Sequence, residues 1–168
     1  VEYKFRGAIR LPTPADAETI AEVHVESWRE SYGHLLHERF FDGDAVASRV
    51  QMWTRALAMD VPGRQIRVAE LDGALVGFAL SLPSRDDSPV HEAELAMIYL
   101  LKTAQGSGLG QLLLDGVLGD RSAALWMAED NPRALAFYRR NRFEPTGERR
   151  LDENVDNLAE IRMARTSA

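Results

Sequence analysis

Six residues, Gln105-Gly106-Ser107-Gly108-Leu109-Gly110, constrain this chain more than any other stretch, because three glycines stand between an apolar run and a helical one. Upstream, Glu92 to Leu101 is almost continuously apolar. Downstream, Leu109, Leu112, Leu113 and Val117 recur at the spacing of a helix face. A strand that passes through glycines straight into a helix presents unpaired N–H groups and the positive end of the helix dipole. No Cβ atoms stand in the way there, so an anion such as a phosphate can approach. No lysine followed by serine or threonine comes after the loop, so it is not a Walker-type nucleotide loop. The dinucleotide-binding fingerprint is a closer decoy, because Glu129-Asp130 ends the next strand where a ribose-binding acid belongs. The third glycine, however, comes one residue too early, and the unit follows a hairpin instead of opening the fold. A tight turn without any ligand is the plain alternative.

The rest of the chain supplies the context. Ala8 to Leu11 reads as a short strand, and Thr13-Pro14-Ala15-Asp16 as a helix start with Thr13 as cap and Pro14 in the first turn. Ile20, Val23, Ser27, Trp28 and Tyr32 follow on one face. A second helix starts near Asp44, with Val46, Val50, Trp53 and Leu57 as its stripe, and Pro62-Gly63 stops it. Ile66 to Leu71 and Ala74 to Leu82 form a hairpin around Asp72-Gly73. Glu92 to Leu101 reads as a central strand, since it is too continuously apolar for a half-exposed one. After the glycine turn and its helix come a strand (Ala123 to Ala128), a helix (Asn131 to Asn141) and two strands (Phe143 to Leu151, Leu158 to Ala164). The order β, α, α, β, β, β, α, β, α, β, β belongs to a mixed α/β or α+β class, and 168 residues without a linker or repeat fit a single domain.

Composition closes off several functions. The chain has no cysteine, which removes disulfides, thiolate metal ligands and a cysteine nucleophile. A formal net charge of −6 repels nucleic acid and favours a cationic or neutral small-molecule partner over an acidic one. No apolar run spans a bilayer and Val1 to Arg10 do not read as a signal peptide, so a cytoplasmic protein is expected. His24, His34, His37 and His91 lack metal-ligand spacing, and no metal is expected. Asp86-Asp87 reads as a solvated loop.

At the glycine turn the chain resembles the GNAT superfamily, the Gcn5-related N-acetyltransferases, whose signature Gln105-x-x-Gly108-x-Gly110 matches. The segments "ELAMIYLLKTAQGSGLGQLLLDGVL" and "LWMAEDNPRALAFYRRNRFEP" are similar to that family's fourth strand, loop and third helix, and to the strand and helix that follow. The opening "IRLPTPADAETIAEVHVESWRESY" is similar to a bacterial branch of the family. The resemblance implies a mostly antiparallel twisted sheet with a parallel, splayed pair of its fourth and fifth strands, flanked by about four helices. It also implies acetyl-CoA as co-substrate and direct attack by a primary amine in a ternary complex.

The resemblance further assigns roles. Ile98, Tyr99 and Leu100 pair with the pantetheine arm, and one of their N–H groups faces the thioester oxygen. Gln105, Gly106, Ser107, Gly108, Leu109, Gly110 and Gln111 hold the pyrophosphate. Asn131 contacts the cofactor while also capping its helix. Tyr138 returns a proton to the departing thiolate, or is simply a packed helix tyrosine. Glu94 stands where histone acetyltransferases of the family carry their base, or is a solvated strand-start glutamate. Trp28 and Tyr32, with Phe40-Phe41, lie in the region that shapes the acceptor site, or are plain core. Ribosomal-protein acetyltransferases of the family place a base where this chain has Trp126, so that arrangement is unavailable. Lys102 replaces a frequent proline, and Arg142 a frequent glycine, which implies an altered helix end.

The acceptor stays open between small-molecule and peptide amines. A homodimer is compatible with the sequence, though no patch specifies one. A non-catalytic CoA-binding or regulatory module is the competing reading. An acetyltransferase acting on aminoacyl-tRNA is disfavoured by the acidic balance.

Overall fold

The computed structural model describes residues 7–85 and 90–167. The chain runs β1 (Gly7–Arg10), α1 (Ala17–Tyr32), α2 (Gly43–Ala58), β2 (Gln65–Leu71), β3 (Ala74–Pro83), β4 (Ala93–Leu100), α3 (Leu109–Leu118), β5 (Ala123–Ala128), α4 (Pro132–Arg140), β6 (Glu144–Asp152) and β7 (Leu158–Arg165). This is the expected order, with boundaries moved by a residue or two at most ends. Seven strands form one sheet in the order β1-β2-β3-β4-β5-β7-β6. β1 with β2, β5 with β7 and β6 with β7 are antiparallel. β4 and β5 are parallel, with Ala93 opposite Ala123 and Glu94 opposite Ala124. Asp72 and Gly73 turn the β2–β3 hairpin with φ of +51° and +85°, as that two-residue turn requires. Among the described residues no helix is long and apolar enough to cross a membrane.

The start of α1 differs from the simple capping pattern. Pro14–Asp16 form a 3-10 turn, and Asp16 caps the α-helix proper. Its carboxylate accepts from the Thr13 amide at 2.6 Å and from both Arg10 guanidinium nitrogens at 2.8 and 2.9 Å. Those bonds hold the Asp16 carboxyl below the usual carboxylate range. Arg10 also meets Glu70, which ties β1, β2 and the helix start together.

The described chain gathers into two compact units, interleaved in sequence. One comprises residues up to Leu80 together with Met97–Val117; the other comprises Ser81–Ala96 and the chain from Leu118 onward. In the first, Ile20, Trp53, Val68, Phe78, Leu109, Leu113 and Leu114 are fully buried. In the second, Leu118, Leu125, Phe143 and Met163 fill the interior. There Arg165 lies over the Phe143 ring at 5.1 Å and donates to the carbonyls of Gly119 and Arg121.

β4 holds the middle of the sheet order, but its burial is less than its apolar run predicts. Ala93 and Leu95 are buried, Ala96 is exposed, and Met97 to Leu100 are half-buried. The apolar residues at the end of this strand are therefore only partly covered by core packing.

Candidate active site

The glycine turn shows why glycine is needed. Gly106 and Gly108 adopt φ of +82° and +88°, and a Cβ built on either meets no atom within 4 Å. The constraint is backbone conformation, not crowding. The turn also sorts its amides. Ser107 N–H donates to the Ala104 carbonyl at 3.3 Å, and Leu109 N–H to Ser107 Oγ at 3.3 Å. The amides of Gly106, Gly108 and Gly110, alternating with these, reach no acceptor among the described residues. Leu109 itself is core, so its part in any site is its position at the first turn of α3. Gln111 lies exposed on that turn and donates to Asp115 at 2.9 Å. Three unpaired donors at a helix N-terminus fit a diphosphate.

The expected pairing strand is braced from two sides. Gln105 Nε2 donates to the Leu100 carbonyl at 3.2 Å, so this side chain fastens turn to strand. On β3, a Cβ at Gly77 would lie 2.7 Å from the Tyr99 carbonyl oxygen and 2.6 Å from a Leu100 methyl. Glycine there lets the backbone carrying Ile98, Tyr99 and Leu100 come close. Lys102 N–H, which a proline at this position would lack, is held by the Glu30 carboxylate of α1 at 2.8 Å.

In the second unit, Asn131 caps α4, its side-chain oxygen accepting from Ala134 N–H at 3.0 Å. Tyr138 is buried on the last turn, edge to face with Phe137 and Phe143. Glu94 is forked by Arg162 of β7, with contacts of 3.3 and 3.2 Å that engage both carboxylate oxygens. The same guanidinium lies 5.3 Å from the centre of Trp126, which Arg150 also covers at 4.3 Å, and 3.7 Å from Glu148. Glu94 is thus neither solvated nor unengaged.

The expected acceptor residues converge within the first unit. His24, Trp28 and Tyr32 of α1 lie among Trp53 of α2, Phe78 of β3 and Tyr99 of β4, ring to ring at 4.9–6.4 Å. Phe41 is buried and Phe40 half-buried beside Arg39. His24 accepts a hydrogen bond at Nδ1 from Trp53 Nε1 at 3.2 Å. Burial, aided by the nearby Arg49 charge, pushes its pKa down to about 3, so it is neutral. Asp86 and Asp87 lie outside the described residues. No three histidine or acidic side chains among the described residues are placed to hold a metal.

Sequence reasoning missed His24, Arg49 and Arg162. His24 precedes Trp28 by four residues, so helical spacing alone could have placed it on the same face. Nothing local marks Arg49 or Arg162, whose partners lie on other elements.

A mixed sheet with one parallel pair, and a glycine turn between those two strands at the start of α3, is the arrangement of the GNAT-fold structures with which the chain aligns. The chain matches the model of the acetyltransferase (GNAT) family over residues 17–143, and it belongs to that family. It is 31% identical over 131 residues to the uncharacterized N-acetyltransferase YuaI of Bacillus subtilis, covering 73% of this chain and 72% of the relative. It is 26% identical to Rv2775 of Mycobacterium tuberculosis, described as a probable N-acetyltransferase, over 83% of this chain and 80% of the relative. Among solved structures, the PaiA N-acetyltransferase of Thermoplasma acidophilum in complex with coenzyme A aligns with a TM-score of 0.63 at 19% identity, covering 96% and 99% of the two chains. A GNAT-family acetyltransferase of Streptococcus pneumoniae aligns with a TM-score of 0.67 at 20% identity, covering 97% and 100%.

Proposed function

We propose that this chain is a single-domain, acetyl-CoA-dependent N-acetyltransferase that moves the acetyl group to a primary amine by direct attack. One observation carries the reading: three alternate amides at Gly106, Gly108 and Gly110, without an acceptor among the described residues, at the start of α3 in a member of the acetyltransferase family. Acetyl-CoA, when bound, would supply the activated thioester. In this reading the amides of the turn hold its pyrophosphate, Asn131 adds a contact, and the backbone of Ile98 to Leu100 pairs with the pantetheine arm. An N–H of that strand faces the carbonyl oxygen, where negative charge grows on attack.

The chemistry needs two proton movements. The amine nitrogen forms its bond to the carbonyl carbon and loses a proton; the carbon–sulfur bond breaks and the thiolate gains one. Tyr138 is assigned the second. Glu94 is assigned the first, which requires that Arg162 share it with the incoming amine. With no cysteine in the chain and no serine–histidine motif, no covalent enzyme intermediate is expected.

The engagement of Glu94 by Arg162 is the observation that favours the other reading, a non-catalytic module that binds CoA. Release of free thiol from acetyl-CoA with a mixed panel of amines separates the two, with mass spectrometry to find the acetylated product. Tight cofactor binding with no product on any amine would establish the module instead.

A further inference from the structure

One buried N–H donor of the α1–α2 cluster is left without a hydrogen-bond partner, and a cation lies over its ring. Trp28 Nε1 is buried and has no hydrogen-bond partner. His24 is 3% exposed, and its Nδ1 is occupied as an acceptor, so the neutral ring carries its proton on Nε2. The two rings are one helical turn apart, with centroids separated by 6.0 Å. Arg49 of α2 lies over Trp28, 5.5 Å from the ring centre, and has no carboxylate partner among the described residues.

An unsatisfied buried donor bears its full desolvation cost, and native folds rarely keep one without a use. One such donor beside the His24 ring N–H, and beside a guanidinium with no carboxylate partner among the described residues, makes a local reversal of field in a chain of net charge −6. What suits the indole N–H, the ring N–H and the guanidinium together is a negatively charged oxygen acceptor. The half-buried rings of Trp28, Tyr32 and Tyr99 add flat apolar walls.

We propose that Trp28, His24 and Arg49 form a carboxylate site, and that the acceptor is an amine carrying a carboxylate and an apolar body, of the amino-acid class. This deepens the N-acetyltransferase reading and rests on it for the word acceptor; the carboxylate site itself does not. The overall acidity of the chain pointed toward a cationic or neutral acceptor, and the local groups outweigh that tilt because screening confines distant charges.

The test uses the three indole N–H resonances of the full 15N-labelled chain, assigned with W28F, W53F and W126F. Phenylalanine and N-acetylphenylalanine are titrated with CoA present. Phenethylamine and N-acetylphenethylamine, which keep the ring and lack the carboxylate, are the matched controls. The Trp28 resonance is expected to move with the carboxylate probes at concentrations about tenfold lower than with the controls, the worth of a charge-assisted hydrogen bond. The Trp126 resonance should stay in place. Arg49→Met should weaken the carboxylate probes by about tenfold and leave the controls unchanged. A Trp28 resonance that no carboxylate probe moves, or that the controls move equally well, overturns the site. Thiol release from acetyl-CoA is scored separately, so failure of the enzyme reading and failure of the carboxylate site are distinct results.

Discussion

The amide of Phe143 donates to the carbonyl of Tyr138 at 3.0 Å, and the two rings meet edge to face with centroids 5.8 Å apart. With Arg142 N–H on the Arg139 carbonyl at 3.0 Å, these bonds close α4 as a Schellman motif, including its hydrophobic contact. The left-handed position, normally glycine, is Arg142 at φ +69°. The helix end that carries the proposed acid is therefore closed by this motif against a local steric cost, although Arg142 stands where an altered helix end was expected. Replacing Arg142 by glycine should stabilise the fold by about 1 kcal/mol, because a Cβ in the left-handed region costs roughly that much. The lost contact with Asp120, 3.9 Å and exposed, counts for little. Thermal unfolding should show a rise of about 2–4 °C for a chain of this size. A fall in melting temperature would contradict the argument.

Gly108→Ala separates conformation from crowding. Nothing stands within 4 Å of the new Cβ, so any damage comes from φ of +88° alone. Stability should drop by about 1–2 kcal/mol, and CoA should bind more weakly because the neighbouring amides turn away. Calorimetric titration with CoA checks it; wild-type affinity in the variant would remove the amides from the site.

Tyr138→Phe should lower turnover by up to about 10²-fold, since thiolate is a good leaving group and general acids contribute on that order or more. The cofactor's affinity should hold. Equal turnover at every pH, once an acceptor is known, would leave Tyr138 as a packing residue.

His24 gives the fold a pH dependence of known sign. Its folded pKa of about 3 lies below its ordinary 6.5, so the unfolded chain binds the proton first as pH falls. Stability is therefore flat above about pH 6.5 and declines below it, by at most about 1.4 kcal/mol per pH unit. Asp16, also held low, adds its own loss only below the ordinary carboxylate range. His24→Gln keeps an acceptor for Trp53 and should flatten the urea-denaturation profile between about pH 4.5 and 6.5. An unchanged slope would show that another group sets it.

Element order, the hairpin turn at Asp72-Gly73, the Asn131 cap and the glycine turn before α3 were all legible in the sequence. Each is decided within a few residues, by side-chain period, by φ restrictions or by a hydrogen bond to a near neighbour. The burial of β4 was misjudged because an apolar run records what a strand tolerates, not how many neighbours cover it. The fork between Arg162 and Glu94 spans 68 positions, and the meeting of Arg49 with Trp28 depends on how α1 packs on α2. Such pairings carry no local period or propensity; they come into being when separate elements bury their apolar faces together. The chain's own order of residues thus settled its elements and the glycine turn, whereas tertiary packing alone decided which polar groups found partners and which did not.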